Sequence, residues 1–473
     1  MGPQEVILSA CGSEVTATSV TGRAAAAPAV QVHDLLSSAH LASFKTSTSA
    51  LHSLSYVQSS GGSGGSILAV QEGKALVNVW AWQKDQLHLK LHLPEKLSCF
   101  SVSPNGHWAA GGSPTGQVYL WELGSGLLLA SYTAHYRAVT SLTFTNDSNI
   151  LLSASLDASV HVYVVSRVVD EEDSGAVGKP CGTLSDHTLG IRAVAVGRTA
   201  GSSGGRCWTA SDDGTVKMWS LYPPFDLLAT FSLPPSVAPT SLAVDPSERF
   251  FYVGTTQGDI YHVPLFKRRE EMGGRLGDVE AVGGEGQGGA PIKAEGSVVS
   301  VKSPVTCLAL SLSTSHLLIG TRVGEIHIHS LPSHQHLRTI ASHSGPITHL
   351  SALLKPSDLI GGSFKSDAWP VMEVKPLERM RVGKAARDVQ EVTMLLRPRV
   401  SPVALDSLRT PQAKPLSVVP TASTDTGDRL AELEAENRRL RAGLDKALQI
   451  NEKMWSGIVD MKLVDAPATN GSQ

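Results

Sequence analysis

A short segment in which apolar residues run into a pair of small ones returns along this chain at a nearly constant interval. It appears as Leu68-Ala69-Val70-Gln71, Ala110-Gly111-Gly112-Ser113, Ser153-Ala154-Ser155, Thr209-Ala210-Ser211, Val253-Gly254-Thr255, Ile319-Gly320-Thr321 and Ile360-Gly361-Gly362-Ser363, and the last residues lie 42, 42, 56, 44, 66 and 42 positions apart. Repetition at this period marks a chain built from copies of one supersecondary unit, each unable to bury its apolar face alone. The two long intervals hold insertions: an acidic run from Asp170 to Asp173 with a Gly/Ser loop from Gly201 to Gly205, and a Gly-rich stretch from Gly273 to Gly296. Each segment leads through a turn into alternating apolar and polar residues, as from Gly116 to Trp121, Ser159 to Tyr163, Gly214 to Trp219, Gly258 to Val263 and Gly324 to His329. That alternation predicts a β-strand.

The composition agrees with an all-β body. Only 18% of the residues are charged, while 44 Gly and 26 Pro favour turns over long helices. Forty Lys and Arg against 43 Asp and Glu leave a net charge of -3, so the chain lacks the broad positive field on which nonspecific nucleic-acid binding depends, and any RNA contact is local. The five cysteines, Cys11, Cys99, Cys181, Cys207 and Cys307, lie far apart with no C-x-x-C pair, which argues against a disulfide framework or a zinc site and suits a reducing compartment. No long apolar run and no basic-then-apolar N-terminus occur, so a soluble intracellular protein without membrane contact is expected. Neither a cofactor nor a metal is expected.

The repeat pattern resembles the WD-repeat family, in which each repeat supplies the four strands of one β-propeller blade. The resemblance covers residues 5 to 375 and implies a seven-bladed ring, taken as a domain over 1–375 with insertions near 167–182 and 267–297. Trp121-Glu122 and Trp219-Ser220 stand where the family has its Trp-Asp pair, and Ala134-His135, Asp186-His187 and Ser342-His343 where it has Gly-His. His187, Ser211, Asp213 and Trp219 match the family's buried hydrogen-bonded tetrad; His135, Ser153 and Asp157 match three members in the preceding repeat, with Tyr163 at the Trp position. Thr115, Gln257 and Val323 hold the Asp position elsewhere, so those blades are expected to cohere by apolar packing. The tetrads are expected to be structural, because a catalytic triad needs an exposed nucleophile and oxyanion donors, and no nucleophile elbow occurs. With Ile7-Leu8-Ser9-Ala10 included, eight segments compete for seven blades. The expected remedy is a composite blade in which one N-terminal strand from residues 5 to 20 joins C-terminal strands near Ile347 to Ser363.

Beyond the ring, residues 376–424 read as a basic segment followed by a Pro-, Ser- and Thr-rich linker, 425–463 as a coiled-coil helix and 464–473 as a disordered tail. The basic residues have acidic neighbours, so a solvated helix face stands beside contact with RNA or an acidic partner. Leu430, Asn437, Leu444, Asn451 and Ile458 fall at a positions of a heptad, and Leu433, Leu440, Ala447, Met454 and Met461 at d. Buried Asn at a favours a parallel dimer in fixed register. The alternative is an amphipathic helix that packs on its own ring or on a foreign subunit.

More specific phrases narrow the family. Lys74 to Trp80, Tyr119 to Leu129 followed by Ala134-His135-Tyr136, Asp186 to Leu189, and Leu227 to Phe231 leading into Asp245-Pro246 and Tyr252 to Gly258 are together similar to the WD-repeat subunits of the Rix-type pre-ribosomal complex. That resemblance implies a non-enzymatic nuclear scaffold, nucleolar and nucleoplasmic, that serves maturation of the large-subunit precursor (pre-60S) and processing of the second internal transcribed spacer. Its implied partners are helical-repeat scaffold subunits and a midasin-type AAA ATPase, and a role in chromatin or replication is also linked to it. A substrate receptor of a cullin-type ubiquitin ligase is the competing reading. Such receptors typically carry Arg two residues after the Trp-Asp pair, where this chain has Gly124 and Tyr222.

Overall fold

The first six small-residue segments fall in or at the end of strands buried on both faces. Val139, which is fully buried, belongs to the neighbouring repeat, and its Cγ1 would lie 2.7 Å from a Cβ placed on Gly112. Ile347 presses in the same way on Gly320, at 2.8 Å. A side chain here would force the sheets apart, so the recurrent small pair is the imprint of close packing between repeats.

The computed structural model describes residues 4–13, 29–45, 48–58, 65–169, 178–200, 205–270, 276–281, 291–294, 296–356, 359–360 and 374–381, with Arg439 and Lys446 beyond them. The chain divides into units Met1–Leu395 and Leu396–Gln473, and the first holds all the described strands. It begins with β1 (Glu5–Cys11), β2 (Ala29–Asp34) and β3 (His40–Lys45). Three four-stranded antiparallel sheets follow: β4 (Ser49–Gln58), β5 (Gly65–Gln71), β6 (Leu76–Ala81) and β7 (Leu89–His92); β8 (Cys99–Val102), β9 (Trp108–Gly112), β10 (Gln117–Glu122) and β11 (Leu128–Thr133); and β12 (Val139–Phe144), β13 (Ile150–Ser155), β14 (Val160–Val164) and β15 (Gly182–Leu184), with the short helix α1 (Val165–Val169) before β15. Next come β16 (Ile191–Val196), β17 (Arg206–Ser211), β18 (Thr215–Ser220) and β19 (Leu227–Ser232), then β20 (Pro239–Val244), β21 (Phe250–Thr255) and β22 (Asp259–Pro264). The Gly-rich insertion contributes a separate hairpin, β23 (Phe266–Glu270) with β24 (Leu276–Ala281), and then β25 (Ile292–Lys293) before β26 (Ser297–Ser300) completes the blade of β20 to β22. The last strands are β27 (Val305–Leu310), β28 (His316–Thr321), β29 (Ile326–Ser330), β30 (His336–Ile340) and β31 (Ile347–Leu354).

The innermost strands β4, β8, β12, β16, β20, β27 and β31 touch in succession, and β31 returns to β4, so seven blades close a ring. Closure differs from the expected composition of the last blade. Its strand order is β3-β2-β1-β31, three N-terminal strands and one C-terminal strand. Two of the three, β2 and β3, lie within residues 20–50, a stretch so rich in Ala, Ser and Thr that the sequence alone assigns it no element. The edge of β31 that a strand from Ile360 would need is taken by β1, with Leu8 opposite Ser351; Ile360 itself donates its backbone N–H to the Trp82 carbonyl outside any strand, and Gly361 to Ser363 lie outside the described residues. One expected insertion proves to be a bridge: β25 pairs parallel with β19, Phe231 opposite Ile292, and adds a fifth strand to the neighbouring blade. This covers an edge that would otherwise present unpaired amides to water.

Candidate functional site: the histidine networks of the ring

Each network starts where a blade's outer strand turns back to the next inner strand, which sets a histidine beside the second strand of its own blade. In the blade of β12 to β15, His135 Nδ1 lies 2.9 Å from Asp157 Oδ2, and Nε2 lies 2.8 Å from the Ser153 hydroxyl. Because a carboxylate only accepts, Nδ1 carries the proton, and Ser153 donates to Nε2. In the blade of β16 to β19, His187 Nδ1 donates to Asp213 at 3.0 Å. The expected hydroxyl partner is corrected here: His187 Nε2 meets Thr209 Oγ1 at 2.7 Å, and Trp219 Nε1 donates to the same oxygen at 2.9 Å. Ser211 instead donates to the Leu189 carbonyl at 2.8 Å. The physical reason is the two-residue period of a strand. Thr209 and Ser211 share a face, but the hydroxyl within reach of both His187 and Trp219 lies ten residues before the Trp, as Ser153 lies ten before Tyr163.

Tyr163 at the Trp position places its hydroxyl 3.3 Å from His161 Nδ1 and not on Ser153, because a phenol carries its polar atom at the far end of the ring whereas an indole carries it on the flank. His161 stacks on His135 with centroids 4.3 Å apart, and burial together with that neighbour pulls its pKa down to about 4. Burial also lowers the His135 pKa despite the attraction of Asp157. Burial alone would raise the Asp213 carboxyl, but hydrogen bonds from His187 and Thr215 outweigh it and hold the group well below the usual carboxylate range. Asp157 is lowered in the same way, with Ser159 and His135 overcoming the cost of burial. The result is two histidines each held between a fixed carboxylate and a hydroxyl, an arrangement that satisfies every member and tolerates little displacement.

A row of Ser153, His135 and Asp157 has the residue types of a catalytic triad, yet Ser153 is fully buried within β13. A nucleophile would need to be exposed. Among the described residues no group of three or more His, Cys, Asp or Glu is placed to hold a metal, and no helix is long and apolar enough to cross a membrane.

The sequence reading missed a third partial network. Ser9 on β1 lies 2.8 Å from His343 Nε2, joining residues 334 positions apart across the ring closure. The signal was available, since Ile7-Leu8-Ser9-Ala10 places its serine as Leu151-Leu152-Ser153-Ala154 does. The proposed seam residues Leu430, Leu433, Asn437, Leu440, Leu444, Ala447, Asn451, Met454, Ile458 and Met461 lie outside the described residues.

The family model of the WD domain, G-beta repeat, matches residues 126–163 and 178–220, the two stretches that carry the His–Asp networks. The pre-rRNA-processing protein IPI3 of Mycosarcoma maydis is 28% identical over 90% of this chain and 92% of its own length. The pre-rRNA-processing protein crb3/ipi3 of Schizosaccharomyces pombe is 32% identical over 65% of this chain and 71% of its own. The WD repeat-containing protein 18 of Homo sapiens is 30% identical over 63% of this chain and 65% of its own length. A seven-bladed ring with these networks, matched across most of the length of such relatives, belongs to the WD-repeat family of the pre-rRNA-processing proteins named IPI3 and crb3/ipi3.

Proposed function

We propose that the protein is a non-enzymatic scaffold of pre-rRNA processing and ribosome biogenesis, acting in the nucleus on the precursor of the large subunit. One observation carries this reading: the match to the Mycosarcoma maydis relative spans 90% of the chain, so it must extend past Arg381, the last described residue of the ring unit, and into the C-terminal extension. Two repeats alone would support only a propeller, a fold used in unrelated processes. The buried networks suit a scaffold, because they hold loops in place and offer no reacting group to solvent.

In this reading the ring binds helical-repeat subunits and the assembled complex meets a midasin-type AAA ATPase on the pre-60S particle. Residues 425–463 form a parallel coiled coil that pairs two copies, which multiplies the grip of each ring on its partners. Affinity purification of the tagged full chain tests the assignment, together with pre-rRNA analysis after depletion. Recovery of large-subunit precursors and accumulation of RNA that retains the second internal transcribed spacer are expected. Normal processing after depletion, or a cullin adaptor as the main companion, overturns it.

A further inference from the structure

Trp121 stands ten residues after Gly111, where Trp219 stands ten after Thr209. The blade of β8 to β11 thus has no hydroxyl on β9 to receive the indole N–H, and the space beside Gly111 is filled by the Leu97 side chain and the Trp121 ring itself. The ring of Trp121 is fully buried, so its N–H requires another acceptor. The acceptor comes from a different part of the chain: Trp121 Nε1 donates to the Glu378 carbonyl at 3.0 Å, 257 residues away.

The segment around Glu378 is fitted to this blade by more than one bond. Glu378 N–H donates to the Gly126 carbonyl at 2.8 Å in the turn between β10 and β11, and Lys375 N–H donates to the Leu123 carbonyl at 3.4 Å. Val374 and Leu377 are buried in the apolar cluster shared by the blades of β4 to β7 and β8 to β11, against residues that include Leu123 and Leu128. Gly126 has φ +78°, and a Cβ there would meet the Pro376 carbonyl oxygen at 2.2 Å. The turn is therefore shaped to let this backbone approach. Arg379, Met380 and Arg381 are exposed immediately beyond. Leu377 and Glu378 thus contact the ring inside the segment that the sequence assigns to a linker from residue 376.

We infer that Val374–Arg381 is a built-in anchor that fastens the C-terminal extension to the blade of β8 to β11, with the Trp121 indole, released from tetrad duty by Gly111, as its clamp. Trp121 is a positioning residue in this role. Anything bound by the extension beyond residue 381 is tethered from one defined blade of the ring and not from a free end.

Hydrogen–deuterium exchange on the full chain tests this. In the wild-type protein the peptide covering 374–381 is expected to be protected. Trp121→Phe, which keeps the aromatic ring and deletes the donor, should speed its exchange roughly 5- to 30-fold, the factor that one lost buried contact produces, while β12 to β19 exchange as before. Leu377→Asp puts a charge into the anchor's buried contact with the cluster of Leu123 and Leu128 and should release the 374–381 peptide altogether, while β12 to β19 exchange as before. Gly126→Ala should act like Leu377→Asp through the clash with Pro376. An unprotected 374–381 peptide in the wild type overturns the inference, as does unchanged protection in Leu377→Asp. Should Trp121→Phe loosen the whole ring, Leu377→Asp decides by the same readout.

Discussion

Replacing Thr209 by Val tests the network in the blade of β16 to β19 at the atom on which it converges. The Thr209 hydroxyl donates to His187 Nε2 across 2.7 Å and accepts the Trp219 indole N–H across 2.9 Å. Valine keeps the shape and the β-branch but deletes the oxygen, leaving two buried polar groups without partners. Each orphan costs about 1 to 3 kcal/mol, so the variant is expected to lose roughly 2 to 6 kcal/mol. Ser211→Ala removes a hydroxyl that donates to the Leu189 carbonyl and accepts the Asp213 backbone N–H at 3.3 Å but touches neither His187 nor Trp219, and it should cost only about 0.5 to 1.5 kcal/mol. Urea unfolding followed by circular dichroism measures both. The reasoning fails if Thr209→Val lies within about 0.5 kcal/mol of wild type, the spread typical of neutral surface changes, or if Ser211→Ala proves the more damaging of the two.

Three further outcomes are expected. Ala158 sits at φ 68° in the turn where the next blade has Gly214 at φ 77°, so Ala158→Gly should stabilise the ring by about 0.5 to 1 kcal/mol, whereas Gly214→Ala should destabilise it, both read from the unfolding midpoint. Burial pulls His33, His52, His343 and His349 down from 6.5 to about 4 in the folded ring. The unfolded chain therefore takes up protons first as pH falls, and stability present above pH 6.5 is lost between about 6.5 and 4, each histidine contributing about 1.4 kcal/mol per pH unit; a melting temperature flat across that window would contradict this. Changing Leu433, Leu440 and Leu444 to Asp should convert a dimer to a monomer in sedimentation without altering ring stability, and a monomeric wild-type chain at micromolar concentration would reject the coiled-coil proposal.

The amino-acid sequence determined by itself what is local. Strand pairs joined by short turns, the small residues where blades press together, and the His135–Asp157 and His187–Asp213 pairs all sit within one repeat of each other, so a period of about 42 residues was enough to read seven blades and the family. Tertiary structure decided what joins distant parts. How many strands each end of the chain gives to the closing blade, three from the N-terminal side and β31 alone from the C-terminal side, depends on which edges pair once six blades are in place, and no periodicity records that. The Ser9–His343 contact, the parallel addition of β25 to β19 and the bond from Trp121 to Glu378 each use a residue that looks ordinary in its own repeat. Thr209 marks the boundary between the two cases. Thr209 and Ser211 lie on the same face and carry the same group; the spacing of ten residues to Trp219 favours Thr209, and the distances in the folded blade show that it is the one His187 and Trp219 share. Sequence patterns encode which face a side chain occupies, whereas hydrogen bonding depends on separations of a few tenths of an ångström, which packing alone sets.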